Sequence, residues 1–460
     1  MPLEIPDHFL RLGSHAEKQY FLEDQELYDG AIFNANLVAI TTAACASLAT
    51  ALQEEEMPLL IDPWTFVFGL ESSYLMVERT KDGEKYIDVK SSYAELAKIY
   101  GDPIRSLVAS QDWQNNREAR LRPNAFSDAQ VQSFTDNVLR FQRFALQDEM
   151  AEDEYFGPAG VIEPDVLIAP YFFIDPEEPQ PWLELNLSLL DAALESNIAE
   201  GLPVVPIVCL GQRSVHQLQW QTLDNWLERY RRRGCEGYFL WISDFDETEV
   251  PTPVLRGFLH AVDVLSGDGD ATVMNMFGGY FSVTSLQFGL GAFSHSVGYG
   301  ESKNVIPPSG GVPVAKYYFP PLHKRIEAED ALEMVSRLSR EDLGEFYEYI
   351  CECVVCERRV EDGIEGFAAF AEAEKSDKED LPEWLKDRKY PTGEAKRLNN
   401  EHYLRARQAE LREIREAEAG SIPELIGEDL AWYQEHFAAP LFPTARHLHR
   451  WREALQGGLV

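Results

Sequence analysis

VVPIVCLGQRSVHQLQWQTLDNWLERYRRRGCEGYFLWISD, residues 204–244, carries the fold in one repeating unit. Its two ends, VVPIVCLG (204–211) and GYFLWISD (237–244), are short runs apolar at consecutive positions. A strand buried on both faces reads this way, and both runs are too short for a buried helix. Between them the stretch Val215–Arg233 reads as a helix. Strand, helix, strand in that order implies parallel pairing with both faces of the sheet covered.

The same alternation extends on both sides. PLLID (58–62) and DVLIAPYFF (165–173) are apolar runs, and the helix WLELNLSLLDAALESNIAEG follows the second of them. Beyond residue 244 come a helix near Val254–Leu265, the run ATVMNMFGG (271–279) with a short helix, and the strand and loop GAFSHSVGYGES (291–302). So many units predict a closed (β/α)8 barrel of the TIM type, with an open doubly wound sheet as the alternative. The 460 residues suffice for a barrel of about 250 residues plus an appended subdomain. The barrel is expected over 1–330, with 1–29 as an N-terminal extension. From residue 331 to 460 the pattern changes to long amphipathic helices, a helical subdomain. It is interrupted by a charged, apolar-poor insertion, AEAEKSDKEDLPEWLKDRKYPTG (371–393), and includes a strongly charged helix over Leu398–Glu418.

The chain has 78 Asp and Glu against 41 Lys and Arg, a formal charge of -37. This keeps a protein soluble and opposes contact with anionic polymers. A nucleic-acid substrate therefore requires a local basic face. Arg229, Arg231, Arg232 and Arg233 are one candidate, and Arg446, His447, His449, Arg450 and Arg452 another; solvated helix ends are the plainer reading of both. MPLEIPDHF at the N-terminus has neither the basic nor the apolar region of a secretion signal. GAIFNANLVAITTAACASLATAL (30–52) is uncharged and long enough to span a bilayer, but its Asn34, Asn36, Thr41 and Thr42 predict a helix inside a large core. The expected compartment is the cytoplasm, with no membrane contact.

Cys351-Glu-Cys353-Val-Val-Cys356 crowds three thiols into two short turns, poor geometry for disulfides and good geometry for a metal. Thiolates are soft donors, and a structural zinc takes four protein ligands in a tetrahedron. His402, in NNEHYLRAR, is the expected fourth ligand, with His323 as the alternative. A full set of protein ligands would make the Zn2+ structural, with no open position for substrate.

A C-x-C-x-x-C cluster with a later helical histidine, behind a barrel, resembles the zinc subdomain of the tRNA-guanine transglycosylase superfamily. The gap from Cys356 to His402 is longer than the family's, and segment 371–393 accounts for the excess. In outline the resemblance covers 57–302 as well: Asp62 in IDPWTF sits where the family's early strand ends in aspartate, and IVCLG, GYFLWISDFDE and GLGAFSHSVGYGES resemble later strands. There are departures. Pro63, Trp64 and Thr65 replace small residues; the nucleophile position falls near Ser294, which has no carboxylate; the base-reading aspartate falls at Tyr171 or Phe172; and the family glutamine aligns with Cys209, close to Gln212. The DNA 7-deazaguanine transglycosylases are the closer comparison, and the superfamily also contains catalytically silent partner subunits.

The resemblance implies base exchange on nucleic acid, DNA rather than tRNA, with a modified guanine as second substrate. Such exchange needs a nucleophile for the sugar C1′ and a general acid/base. Asp62, Asp244 and Asp246 close predicted strands, where such barrels place their chemistry. Asp62 is the expected first carboxylate, with Asp244 or Asp246 as the second; helix capping is the alternative for the latter two. His295 is a candidate acid or base, or else a core histidine. Gly298 and Gly300 permit backbone approach, Glu301 could orient a ribose, and Tyr280 and Phe281 could wall a purine. There is no G-x-S-x-G elbow, Walker A or Rossmann glycine pattern. The competing readings are a non-catalytic partner subunit, in a homo- or hetero-oligomer, and a nucleoside-type hydrolase.

Overall fold

Seven short runs, each buried along most of its length, pair in parallel to form one curled sheet in the order β3-β2-β1-β11-β10-β9-β8. They are β1 (His8–Leu12), β2 (Gly30–Asn34), β3 (Leu59–Asp62), β8 (Ile207–Gly211), β9 (Gly237–Ser243), β10 (Thr272–Asn275) and β11 (Ala292–Ser296). A hairpin, β4 (Met76–Lys81) with β5 (Glu84–Val89), and a short parallel pair, β6 (Leu167–Ile168) with β7 (Val204–Val205), lie between β3 and β8 in the chain. Val166, next to β6, bridges Leu60 of β3 in parallel, and β7 leads across Pro206 into β8. The computed structural model describes residues 1–14, 17–81, 84–110, 113, 115–150, 162–298, 300–307, 314–338, 343–375, 388–437 and 442–457.

The chain divides into two units. One comprises 1–246, 256–278 and 289–307, and the other 247–255, 279–288 and 308–460. The sheet belongs to the first. Its crossovers include the helices Thr42–Glu54, Asp128–Met150, Pro179–Leu194 and Trp220–Arg231, and Asp128–Met150 packs on both Thr42–Glu54 and Pro179–Leu194. Two expectations are corrected here. Residues 1–29 are not an extension outside the sheet, because His8–Leu12 lies between β2 and β11 within it. The uncharged stretch 30–52 is not one helix: it opens as β2, turns through Ala35–Val38 and becomes helical again at Thr42. No described helix is long and apolar enough to cross a membrane.

Register sorts side chains between the two faces of the sheet, since partners on parallel strands face the same way and neighbours along a strand face opposite ways. Arg11 pairs with Ser296 and Ile32, Asn34 with Asp62, and Cys209 with Trp241. Hydrogen bonds among Arg11, Asn34 and Asp62 put these three on one face. His295 pairs with Leu10, one position out of step with Arg11, and so belongs to the opposite face.

In the second unit, β12 (Lys316–Phe319) and β13 (Lys324–Glu327) form an antiparallel pair. Around them are helices Ala328–Leu338, Leu343–Tyr349, Val354–Val360, Gly393–Glu416, Ile422–Phe437 and Arg446–Gln456. Gly393–Glu416 starts earlier than its apolar pattern suggests because Thr392 caps it, its hydroxyl accepting from the Ala395 N–H at 3.0 Å. The charged insertion is bounded by β14 (Ala373–Lys375) and β15 (Lys389–Pro391), antiparallel to each other, and 376–387 lies outside the described residues.

Candidate metal centre and strand-end site

The Cys-x-Cys-x-x-Cys run sits at the start of Val354–Val360, and Leu398, His402 and Ala406 form a buried stripe at four-residue spacing on Gly393–Glu416. These elements bring the Sγ atoms of Cys351, Cys353 and Cys356 to 3.6, 3.5 and 3.3 Å from His402 Nδ1. All four donor atoms lie within 4.8 Å of one another. A tetrahedral ion with Zn–S of about 2.3 Å and Zn–N of about 2.0 Å has S···N edges of about 3.6 Å, so the four residues are spaced to hold one metal ion. His402 Nε2–H donates to the Tyr318 carbonyl at 2.6 Å, which leaves the Nδ1 lone pair facing the thiols. Tyr317 stacks on the imidazole at 4.1 Å, and its hydroxyl lies 3.2 Å from Cys356 Sγ.

His323, the other ligand considered, takes no part in this cluster. Its Nδ1 meets Glu410 at 2.6 Å, its Nε2 meets Asp429 at 3.0 Å, and its ring stacks on Tyr280 at 3.5 Å. Burial disfavours charge on His323, yet the Asp429 and Glu410 carboxylates outweigh it and raise its pKa to about 9. Tyr280 and Phe281 are therefore not an open wall for a purine: both are buried in the second unit, near Trp451.

At the carboxyl ends of the strands Asp62 is the centre of a different cluster. Its Oδ2 accepts from Arg11 Nη2 at 2.6 Å, and its Oδ1 accepts from the Tyr171 hydroxyl at 2.9 Å and the Trp64 N–H at 3.1 Å. The same Arg11 nitrogen donates to Asn34 at 2.9 Å. Arg11 and Asp62 are 1% and 0% exposed, so the pair is removed from water. Rings crowd the cluster. Phe66 stacks on Tyr171, Trp241 lies 4.6 Å from Phe66 and 5.1 Å from Phe277, and the Arg11 guanidinium sits 4.5 Å over Phe277. Lys303, half-buried, places its ammonium 4.4 Å over Trp64 and 5.7 Å over Phe277. Burial and the charge of Arg11 push that ammonium down to about 8, against the pull of Asp62 and Glu17. Burial and the Asp62 charge hold the Tyr171 hydroxyl and the Cys209 thiol well above their usual values. Trp64 and Asp244, each just past a strand, adopt left-handed backbone with φ of 59° and 62°. Such strain in non-glycine residues collects at functional sites.

The other expected residues scatter. His295 is buried on the opposite face. Its Nδ1–H donates to the Ser296 carbonyl at 3.2 Å, and its Nε2 faces His8 Nε2 at 2.9 Å, so it is a core histidine and not an acid or base beside Asp62. Ser294 shares the Arg11 face, but its hydroxyl donates to the Met276 carbonyl at 2.6 Å. Asp244 is exposed and receives a hydrogen bond from Ser243; its own N–H donates to Asn304 at 3.1 Å. Asp246 is half-buried. Gln212, just past β8, is half-buried, as are Gly298 and Glu301; Tyr299 lies outside the described residues. Gly300 is required for space, because a Cβ there would sit 2.3 Å from Ser296 Cβ. In the first arginine cluster Arg229 pairs with Glu184, Arg231 with Glu228 and Arg233 with Asp191. In the second, His447 donates to Leu322 and Arg450 to Thr248.

Arg11, Asn34 and Lys303 are the site residues that the sequence reading missed. A lone arginine inside the apolar run HFLRL was the available signal. No model of a known protein family and no curated protein matches the chain.

Proposed function

We propose that the parallel sheet closes into an eight-stranded barrel and that the chain is a divergent transglycosylase exchanging a 7-deazaguanine-type base on nucleic acid, DNA rather than tRNA. Closure rests on β6. It neighbours β3 through the Val166–Leu60 bridge and β7 through direct pairing, and β7 runs on into β8, the far edge of the sheet. In this reading β6 would close the ring between the two edge strands, β3 and β8.

The observation that carries the function is the position of Asp62. It ends the third strand, where the resemblance expects a catalytic carboxylate, among hydrogen-bond donors and buried aromatic rings. The Cys3His cluster supports the same family reading, and its soft, closed donor set favours a structural Zn2+. The ion would hold the subdomain together and take no part in the reaction. Within the site, Arg11 and Tyr171 fix the Asp62 carboxylate, and the surrounding rings exclude water.

A second reading, a catalytically silent partner subunit, is favoured by Ser294 at the nucleophile position and by the outward-facing His295. Incorporation of radiolabelled guanine or 7-deazaguanine into DNA and tRNA decides between them. Zinc-loaded protein is expected to label DNA. Absence of label in both nucleic acids, with zinc content near one per chain, overturns the catalytic reading in favour of the silent subunit.

A further inference from the structure

Two cations, Arg11 and Lys303, share the Phe277 ring, in a chain whose net charge is -37. Among the described residues one carboxylate, Asp62, contacts Arg11, and it engages a single guanidinium nitrogen, Nη2. Nη1 is buried and has no hydrogen-bond partner among the described residues. A buried guanidinium N–H without a partner is expensive, because its desolvation goes uncompensated. Glu17, the other acid near Lys303, is raised by burial above its ordinary value and accepts from the Gly13 and Ser14 N–H groups at 2.7 and 3.1 Å. The site therefore holds an unmet donor on Arg11 and a second cation, Lys303, over the same Phe277 ring.

We propose that this strand-end site binds a phosphate group, held by the free Nη1 of Arg11 and by the Lys303 ammonium. Arg and Lys together suit phosphate: the guanidinium supplies directed N–H donors and the ammonium a mobile point charge. An anion there satisfies the orphan donor and removes the repulsion between Arg11 and Lys303, one of the two causes that depress the lysine. The proposal rests on the base-exchange reading only for the source of the phosphate, which in that reading is the backbone of the nucleic acid beside the exchanged nucleotide. Free phosphate and a mononucleotide are the other sources.

The test uses the full-length, zinc-loaded protein with its lysines reductively methylated with a carbon-13 label, the Lys303 signal being assigned by its loss in Lys303→Met. Inorganic phosphate, deoxyguanosine monophosphate and a short DNA oligonucleotide are titrated in turn, each against chloride at matched ionic strength. Phosphate is expected to raise the Lys303 titration midpoint saturably and to raise the thermal midpoint of the protein. Lys303→Met keeps the Arg11–Asp62 pair intact and is expected to bind phosphate about tenfold more weakly, a difference of about 1.4 kcal/mol. No change at Lys303 beyond that with chloride overturns the proposal, as does an equal thermal shift in Lys303→Met. If phosphate binds but the oligonucleotide does not, the anion site stands and the nucleic-acid reading falls. If DNA is labelled by the base but phosphate leaves Lys303 unmoved, the anion site falls and base exchange stands.

Discussion

Asp62→Asn would ordinarily separate chemistry from structure, because amide and carboxylate are nearly isosteric. Here it does both at once. Asp62 neutralises a buried Arg11, and removing one member of such a pair leaves an uncompensated charge that costs about 3–5 kcal/mol. We expect Asp62→Asn to lower the unfolding free energy by about 3 kcal/mol in urea denaturation. The double replacement Arg11→Met, Asp62→Leu should lose less than Arg11→Met alone; a loss equal to the sum of the two single replacements would show that the pair is not energetically coupled. His323 gives a prediction in pH. Its folded pKa is about 9 against an ordinary 6.5. The group binds its proton more tightly when folded, so its contribution is complete below pH 6.5 and is lost as pH rises through 9. The ceiling is about 3 kcal/mol. The thermal midpoint of the parent should therefore exceed that of His323→Gln by a margin that shrinks between those pH values, and a margin constant with pH would refute the ion network.

Among the elements, the Cys3His cluster joins Val354–Val360 to Gly393–Glu416, alongside the Arg359–Glu394 ion pair. Cys353→Ser, or chelation of the parent, is expected to remove the metal and speed amide exchange across 343–416, while the strands of the sheet exchange as before; unchanged exchange in 343–416 would argue against a bound ion. The helix Thr252–Ser266 has a tighter constraint. A Cβ at Gly257 would lie 1.6 Å from the Val215 carbonyl oxygen, so Gly257→Ala should destabilise by about 1–3 kcal/mol through forced backbone displacement, read by denaturation. The elements also show what the sequence could and could not tell. β8 and β9 were legible because their runs are uninterrupted and bounded by helix. β1 was not, because HFLRL is five residues long and carries a charge, and only the Asp62 partner explains that charge. β2 was hidden in an uncharged stretch that continues into a real helix, where composition gives no boundary. For the Cys3His cluster, chain-local spacing gave three thiols and a helical histidine supplied the fourth group. The strand-end site depends on face parity, which a one-residue offset reverses, and that offset is why Arg11 belongs to the site and His295 does not.

For the whole molecule, the charge of -37 is the dominant long-range term. Self-repulsion opposes the folded state and is screened by salt, the Debye length falling from about 10 Å at 0.1 M to about 3 Å at 1 M. The thermal midpoint is expected to rise steadily with potassium chloride over that range; a flat or falling curve would mean that specific ion pairs outweigh the net charge. If the proposed function holds, nucleic-acid binding should move the opposite way and weaken with salt, because phosphate contacts release counterions. The antiparallel pair of β14 and β15 has one more consequence. Lys375 lies opposite Lys389, so two points well apart in the sequence meet at adjacent positions. The cost of closing a chain between two such points depends on its length only logarithmically, each doubling adding about 0.6 kcal/mol. The position is thus an anchorage for cargo: a reporter domain spliced between those two lysines, with its own termini close together, should fold on its host without prying it open.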